Sequence, residues 1–143
     1  MNWKQALKDA RTAYMENNFE GCRNFGVPRK SYSDKTANGL TACILDFLKY
    51  HGHYACRINT TGIPRIVDGT LTWTPCNANL GVADIHAVIA GRFIAIEIKI
   101  GTDRLSKHQE QEGLRVEGAG GVYLVVRTMG QFYDWYQKYR DGS

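Results

Sequence analysis

Long apolar runs are scarce in this chain. No stretch approaches the roughly 18 residues that a membrane-spanning helix needs. The opening segment, MNWKQALKDARTAYM, lacks the apolar core of a secretion signal. Together these absences lead to the expectation of a cytosolic protein with no membrane partner. Cysteine is sparse and dispersed: Cys22, Cys43, Cys56 and Cys76 include no Cys-x-x-Cys pair, so free thiols are expected. His51, His53 and Cys56 in HGHYAC invite a zinc reading. Their spacing fits no common zinc motif, however, and no second ligand pair follows. Internal repeats and low-complexity tracts are also missing. Charge of one sign is in short supply, because 18 Lys and Arg against 14 Asp and Glu leave a net +4. That mild excess is compatible with nucleic acid without arguing for it.

The 143 residues suffice for one domain with a real core. Trp3, Ala6, Leu7, Ala10, Ala13 and Tyr14 recur at helical spacing over 3–16. Residues 17–35 read as a polar loop. Within it, CRNFGVPRKSYSDK carries Arg23, Arg29, Lys30 and Lys35 against one acid, which fits either a solvated linker or an arm that touches phosphate. A helix fits 37–50, with Leu40, Cys43, Ile44, Phe47 and Leu48 on one face and Gly52 as its stop. A strand at 53–60 precedes a hairpin, IPRIVDGTLTWTP, that turns at Asp68-Gly69. Strands at 83–90 and 93–100, a helix at 105–118, the strand GGVYLVVR and an amphipathic helix at 129–140 complete the chain. The strand–helix–strand unit over 93–127 implies one parallel pair with a right-handed crossover. The expected class is α/β: a mixed sheet flanked by helices, with 1–35 as an N-terminal helix and basic arm and 36–143 as the core.

The segment ADIHAVIAGRFIAIEIKI places Asp84, His86, Glu97 and Lys99 where buried strands usually carry valine or isoleucine. A type II′ turn at Gly91-Arg92 would pair Ala90 with Phe93, set Asp84 across from Lys99 and His86 across from Glu97, and make Asp84 and Glu97 diagonal neighbours. All four polar side chains then converge at one end of one sheet face. Ile85, Ala87, Ile89, Ile94, Ile96, Ile98 and Ile100 fill the other face. Val88, Ala90, Phe93 and Ala95 fill the hairpin end of the polar face. Two carboxylates taken out of water repel, and a divalent cation would reconcile them. Asp84, Glu97 and the carbonyl of Ile98 are the candidate oxygen ligands. The plainer alternative is an Asp84–Lys99 cross-strand ion pair, which predicts polar residues scattered along the face rather than gathered at one end. For His86, a packing role is the preferred reading.

These residues carry a family resemblance. Gly81 to Asp84, IAIEIKI with Glu97-x-Lys99, LSKHQ and GAGGVYLVV resemble the VRR-NUC branch of the PD-(D/E)xK nucleases over about residues 37–128. Ala83 stands where that branch has proline, and Asn38 lies near a position that often holds glutamate. The resemblance implies a restriction-endonuclease-like fold and a Mg2+- or Mn2+-dependent DNA endonuclease of a bacterial or phage-infected host cytosol. Asp84 and Glu97 would bind the metal, Lys99 would be the catalytic lysine, and Gln109 would match the glutamine that follows the LS pair. Gln109 equally fits a capping box with Ser106. Arg57 and Asn59, and Arg104, Lys107 and His108 at a helix start, are the candidate nucleic-acid contacts. Some members cut Holliday junctions, which implies branched DNA as substrate and a two-fold homodimer. The competing class is a binding module that keeps the nuclease fold without turnover.

Overall fold

The computed structural model describes residues 2–58, 62–74 and 80–142. Asn2 caps α1 (Trp3–Asn18) by accepting the Lys4 N–H. A short α2 (Glu20–Phe25) follows, where polar composition had read as loop. Its 6 residues are too few to display a periodic apolar stripe. Thr36 caps α3 (Ala37–Tyr50) through the Gly39 N–H, and Leu40, Cys43, Ile44, Phe47 and Leu48 are buried along its expected face.

The strands are β1 (Tyr54–Arg57), β2 (Ile63–Val67), β3 (Thr70–Thr74), β4 (Ile85–Ile89), β5 (Arg92–Ile98) and β6 (Val122–Val126), with α4 (Lys107–Gly118) before β6 and α5 (Met129–Asp141) after it. Among the described residues, four strands form a sheet in the order β1-β4-β5-β6. β1–β4 and β4–β5 are antiparallel, while β5–β6 is parallel across the α4 crossover. The mixed α/β class expected from the sequence is therefore present. β2 and β3 turn at Asp68 (φ 49°) and Gly69 (φ 76°) and form a separate two-stranded ribbon that leaves Ile66, Leu71 and Trp73 exposed. Among the described residues no helix is long and apolar enough to cross a membrane.

The β4–β5 register corrects the sequence reading. The turn is Ala90-Gly91, with φ 50° and 74°, so Ile89 pairs with Arg92 and Ile85 with Ile96. Two left-handed central residues make the primed hairpin turn that matches strand twist. The sequence does not advertise this turn, because alanine seldom adopts positive φ. The pairing moves by two residues, and an even shift leaves each side chain on its expected face. Asp84 comes opposite Glu97 rather than diagonal to it, one residue beyond the paired segment.

Ile85, Ala87, Ile89, Ile94, Ile96 and Ile98 bury one face against α3, Met129, Phe132 and Tyr136, and Leu7 of α1 joins the same cluster. α4 lies against β6 on the other face, where Gly113 meets the ring of Tyr123. The hairpin end of that second face is open, since Val88 and Phe93 are 40% and 39% exposed. The apolar residues that the sequence gathers at that end are therefore only partly covered.

Candidate functional site

Asp84 is held from both sides. Its carbonyl accepts the Ile58 N–H at 2.7 Å, extending the β1 ladder, and its Oδ2 accepts the Ile98 N–H at 2.8 Å. One carboxylate oxygen is thus tied to the end of β5. Directly across, Glu97 is 3% exposed. Its Oε1 accepts from Gln109 Nε2 at 2.6 Å and lies 3.4 Å from Lys99 Nζ, while its Oε2 is buried without a hydrogen-bond partner. Burial pushes the Glu97 carboxyl up to about 7; the charge of Asp84 adds to the rise and Lys99 opposes it. A carboxylate desolvated this far, with one oxygen unsatisfied, costs several kcal/mol or more unless a cation or a proton meets it (about that size for an effective buried-ion penalty).

Gln109 forms the expected capping box and also reaches the acid. Its Oε1 accepts the Ser106 N–H at 2.9 Å, the Ser106 Oγ accepts the Gln109 N–H, and its amide reaches Glu97. The capping box therefore aims the side chain that steadies the acid. The loop before Asp84 is pressed against the same helix start. Gly81, at φ 81°, lies so close to His108 that a Cβ would stand 2.3 Å from its carbonyl oxygen. No residue with a side chain fits there without moving one segment.

Among the described residues, the second buried polar atom without a partner is the Tyr123 hydroxyl. β6 pairs Tyr123 with Ala95, on the Glu97 face. Burial raises the tyrosine's pKa, and the negative charges of Glu97, Asp84 and Glu112 raise it further, so it is a neutral donor at the acid corner. Sequence reasoning passed over it. The available signal was one hydroxyl in an otherwise aliphatic strand, VYLVV. His86 stacks edge-on with Phe93, and burial lowers its pKa, with Glu112 opposing, which fits a packing histidine.

The remaining candidates scatter. Arg57 Nη2 donates to Asn38 Oδ1 at 2.7 Å, tying the end of β1 to the first turn of α3. Arg104, Lys107 and His108 are exposed around the start of α4, the helix that presents Gln109. Asn59 lies outside the described residues. Among the described residues no cluster of three or more His, Cys, Asp and Glu side chains is gathered. The corner offers two carboxylates, and hard divalent cations commonly complete such a set with main-chain oxygen and water. The unpartnered Glu97 Oε2 fits that chemistry. No protein-family model matches the chain, and no curated protein matches it.

Proposed function

We propose that this corner hydrolyses DNA phosphodiester bonds with Mg2+ or Mn2+, on a restriction-endonuclease-like arrangement of the mixed sheet. One observation carries the reading: two opposed carboxylates converge with one amine at a buried strand end, and Glu97 Oε2 is left without a partner. Asp84 and Glu97, with the carbonyl of Ile98, would hold the cation. When bound, such an ion polarises a non-bridging phosphate oxygen and makes a water more acidic.

The protein's own groups supply the rest. The Ile98 N–H orients Asp84, and Gln109 holds Glu97 Oε1, which leaves Oε2 as the unpartnered oxygen. Lys99, with its side chain 14% exposed, offsets negative charge as it builds on phosphorus or orients the attacking water. Water adds to phosphorus, the bond from phosphorus to one bridging sugar oxygen breaks, and that oxygen leaves as a hydroxyl. Branched DNA and a two-fold homodimer belong to the same reading, since a four-way junction presents two equivalent cuts.

Cleavage of linear and four-way-junction DNA in Mg2+, with Asp84→Ala and Lys99→Ala beside the wild type, tests this. Each variant should lose about 100-fold or more of the rate, the usual scale for a positioned charged group. Circular dichroism must report each one folded. Undiminished cleavage in both rejects the assignment. Metal-independent binding with no cleavage by wild type favours the binding module.

A further inference from the structure

A second charged feature lies on the opposite side of the sheet, in the layer of α1 and α3. The arm after α2 folds back along α1 and encloses a cleft of about 590 Å³ lined by Lys4, Lys8, Arg11, Arg29, Lys30 and Tyr32, and no acid lines it. Its walls are pinned. Arg11 donates to the Pro28 carbonyl at 2.6 Å, Lys30 pairs with Asp46 at 2.6 Å, and Tyr32 donates to Asp46 at 2.9 Å. The arm ends on Asp34, which accepts the Met129 N–H at the start of α5. What composition left open between linker and phosphate-touching arm is thus a docked segment with a fixed concave face.

The charges inside are placed against local preference. Lys4, Lys8 and Arg11 stand at i, i+4 and i+7 on α1, and like charges at that spacing destabilise a helix. Lys4 also sits in the first helical turn, where the backbone dipole disfavours a cation and no acid offsets it. Arg11 and Lys30 hold the walls, whereas Lys4, Lys8 and Arg29 line the cleft without taking part in those contacts. An anionic ligand with several charges would relieve this arrangement.

We infer that the cleft is a phosphate-binding exosite that grips nucleic-acid backbone away from the acid corner. It does not depend on catalysis at that corner, because the Ile-rich face and the sheet itself separate the two. Free polyphosphate offers the same chemistry, so the test must tell the two sources apart.

The triple variant Lys4→Ala, Lys8→Ala, Arg29→Ala leaves the wall contacts of Arg11 and Lys30 in place. Binding to a labelled four-way junction is measured against salt without divalent metal, so that cleavage does not enter. The slope of log K on log salt should fall in magnitude by roughly 2 to 3, and binding near physiological salt should weaken roughly tenfold or more. Metal-dependent kcat at saturating DNA should be unchanged, which separates this exosite from failure of the nuclease reading. An unchanged slope overturns the exosite. So does protection of wild type, but not the variant, against heat by inorganic triphosphate while both bind DNA equally, for the cleft would then serve a small anion.

Discussion

On the proposed reading, a proton and a metal ion would compete for the carboxylate of Glu97. Its ordinary value of 4.5 is raised to about 7 by burial first and by Asp84 second. A raised carboxyl means that the folded protein keeps a proton that the unfolded chain releases. Stability of the metal-free protein therefore falls as pH climbs from 4.5 towards about 7, and the loss is complete above that window. Glu97→Gln should remove this slope, so the wild-type-minus-variant difference in Tm should become more negative with rising pH through the window. A parallel pair of Tm curves would show that Glu97 does not titrate there. If the proposed site takes Mn2+, the ion would displace that proton, so its affinity should increase as pH rises to about 7 and level beyond it, as isothermal titration would report. The identities of Asp84, Glu97 and Lys99 as misplaced polar residues were legible from strand parity alone. The Tyr123 hydroxyl was not, because its place depends on the parallel pairing of β6 with β5.

At the scale of elements, two tight approaches position the corner. The first is the Gly81 loop on α4, where a Cβ would overlap the His108 carbonyl and φ is 81°. Gly81→Ala must push the loop and the helix start apart, at a cost of about 1–3 kcal/mol for overpacking and backbone strain together. Because Asp84 ends that loop and Gln109 lies in the first turn of that helix, the proposed cleavage should fall further than the loss of folded protein explains. Denaturant titration and the rate per folded molecule check the two parts; a rate unchanged per folded molecule would show that the approach is only structural. The second approach is the Ala90-Gly91 turn. Periodicity fixed the faces of β4 and β5, but glycine at 91 fits two turns, and only the positive φ of Ala90 selects the observed one. The site survived that error because the two candidate registers differ by an even number of residues.

For the whole molecule, the decisive relation is between the N-terminal segment and the core. A helix followed by a basic arm reads in sequence as an extension, since neither its composition nor its length reveals what it rests on. In the folded protein Leu7 is 0% exposed among Leu40, Ile44, Phe47 and Phe132, and Asp34 caps the start of α5. These contacts join positions more than 30 residues apart, such as Asp34 and Met129 at a separation of 95, and a local pattern carries no record of them. Leu7→Ala should then cost about 2–5 kcal/mol, the range for truncating a fully buried leucine. In urea the midpoint should fall, and far-UV circular dichroism and tryptophan fluorescence should still move together, because α1 and the sheet share one core. In a Trp73→Phe background, which removes the exposed ribbon tryptophan, Trp3 on α1 reports the N-terminal segment and Trp135 on α5 reports the core, both packed against the cluster that includes Leu7. An early fluorescence change with the sheet signal intact would mean that α1 comes away by itself, and the basic cleft it walls would then be lost before the acid corner.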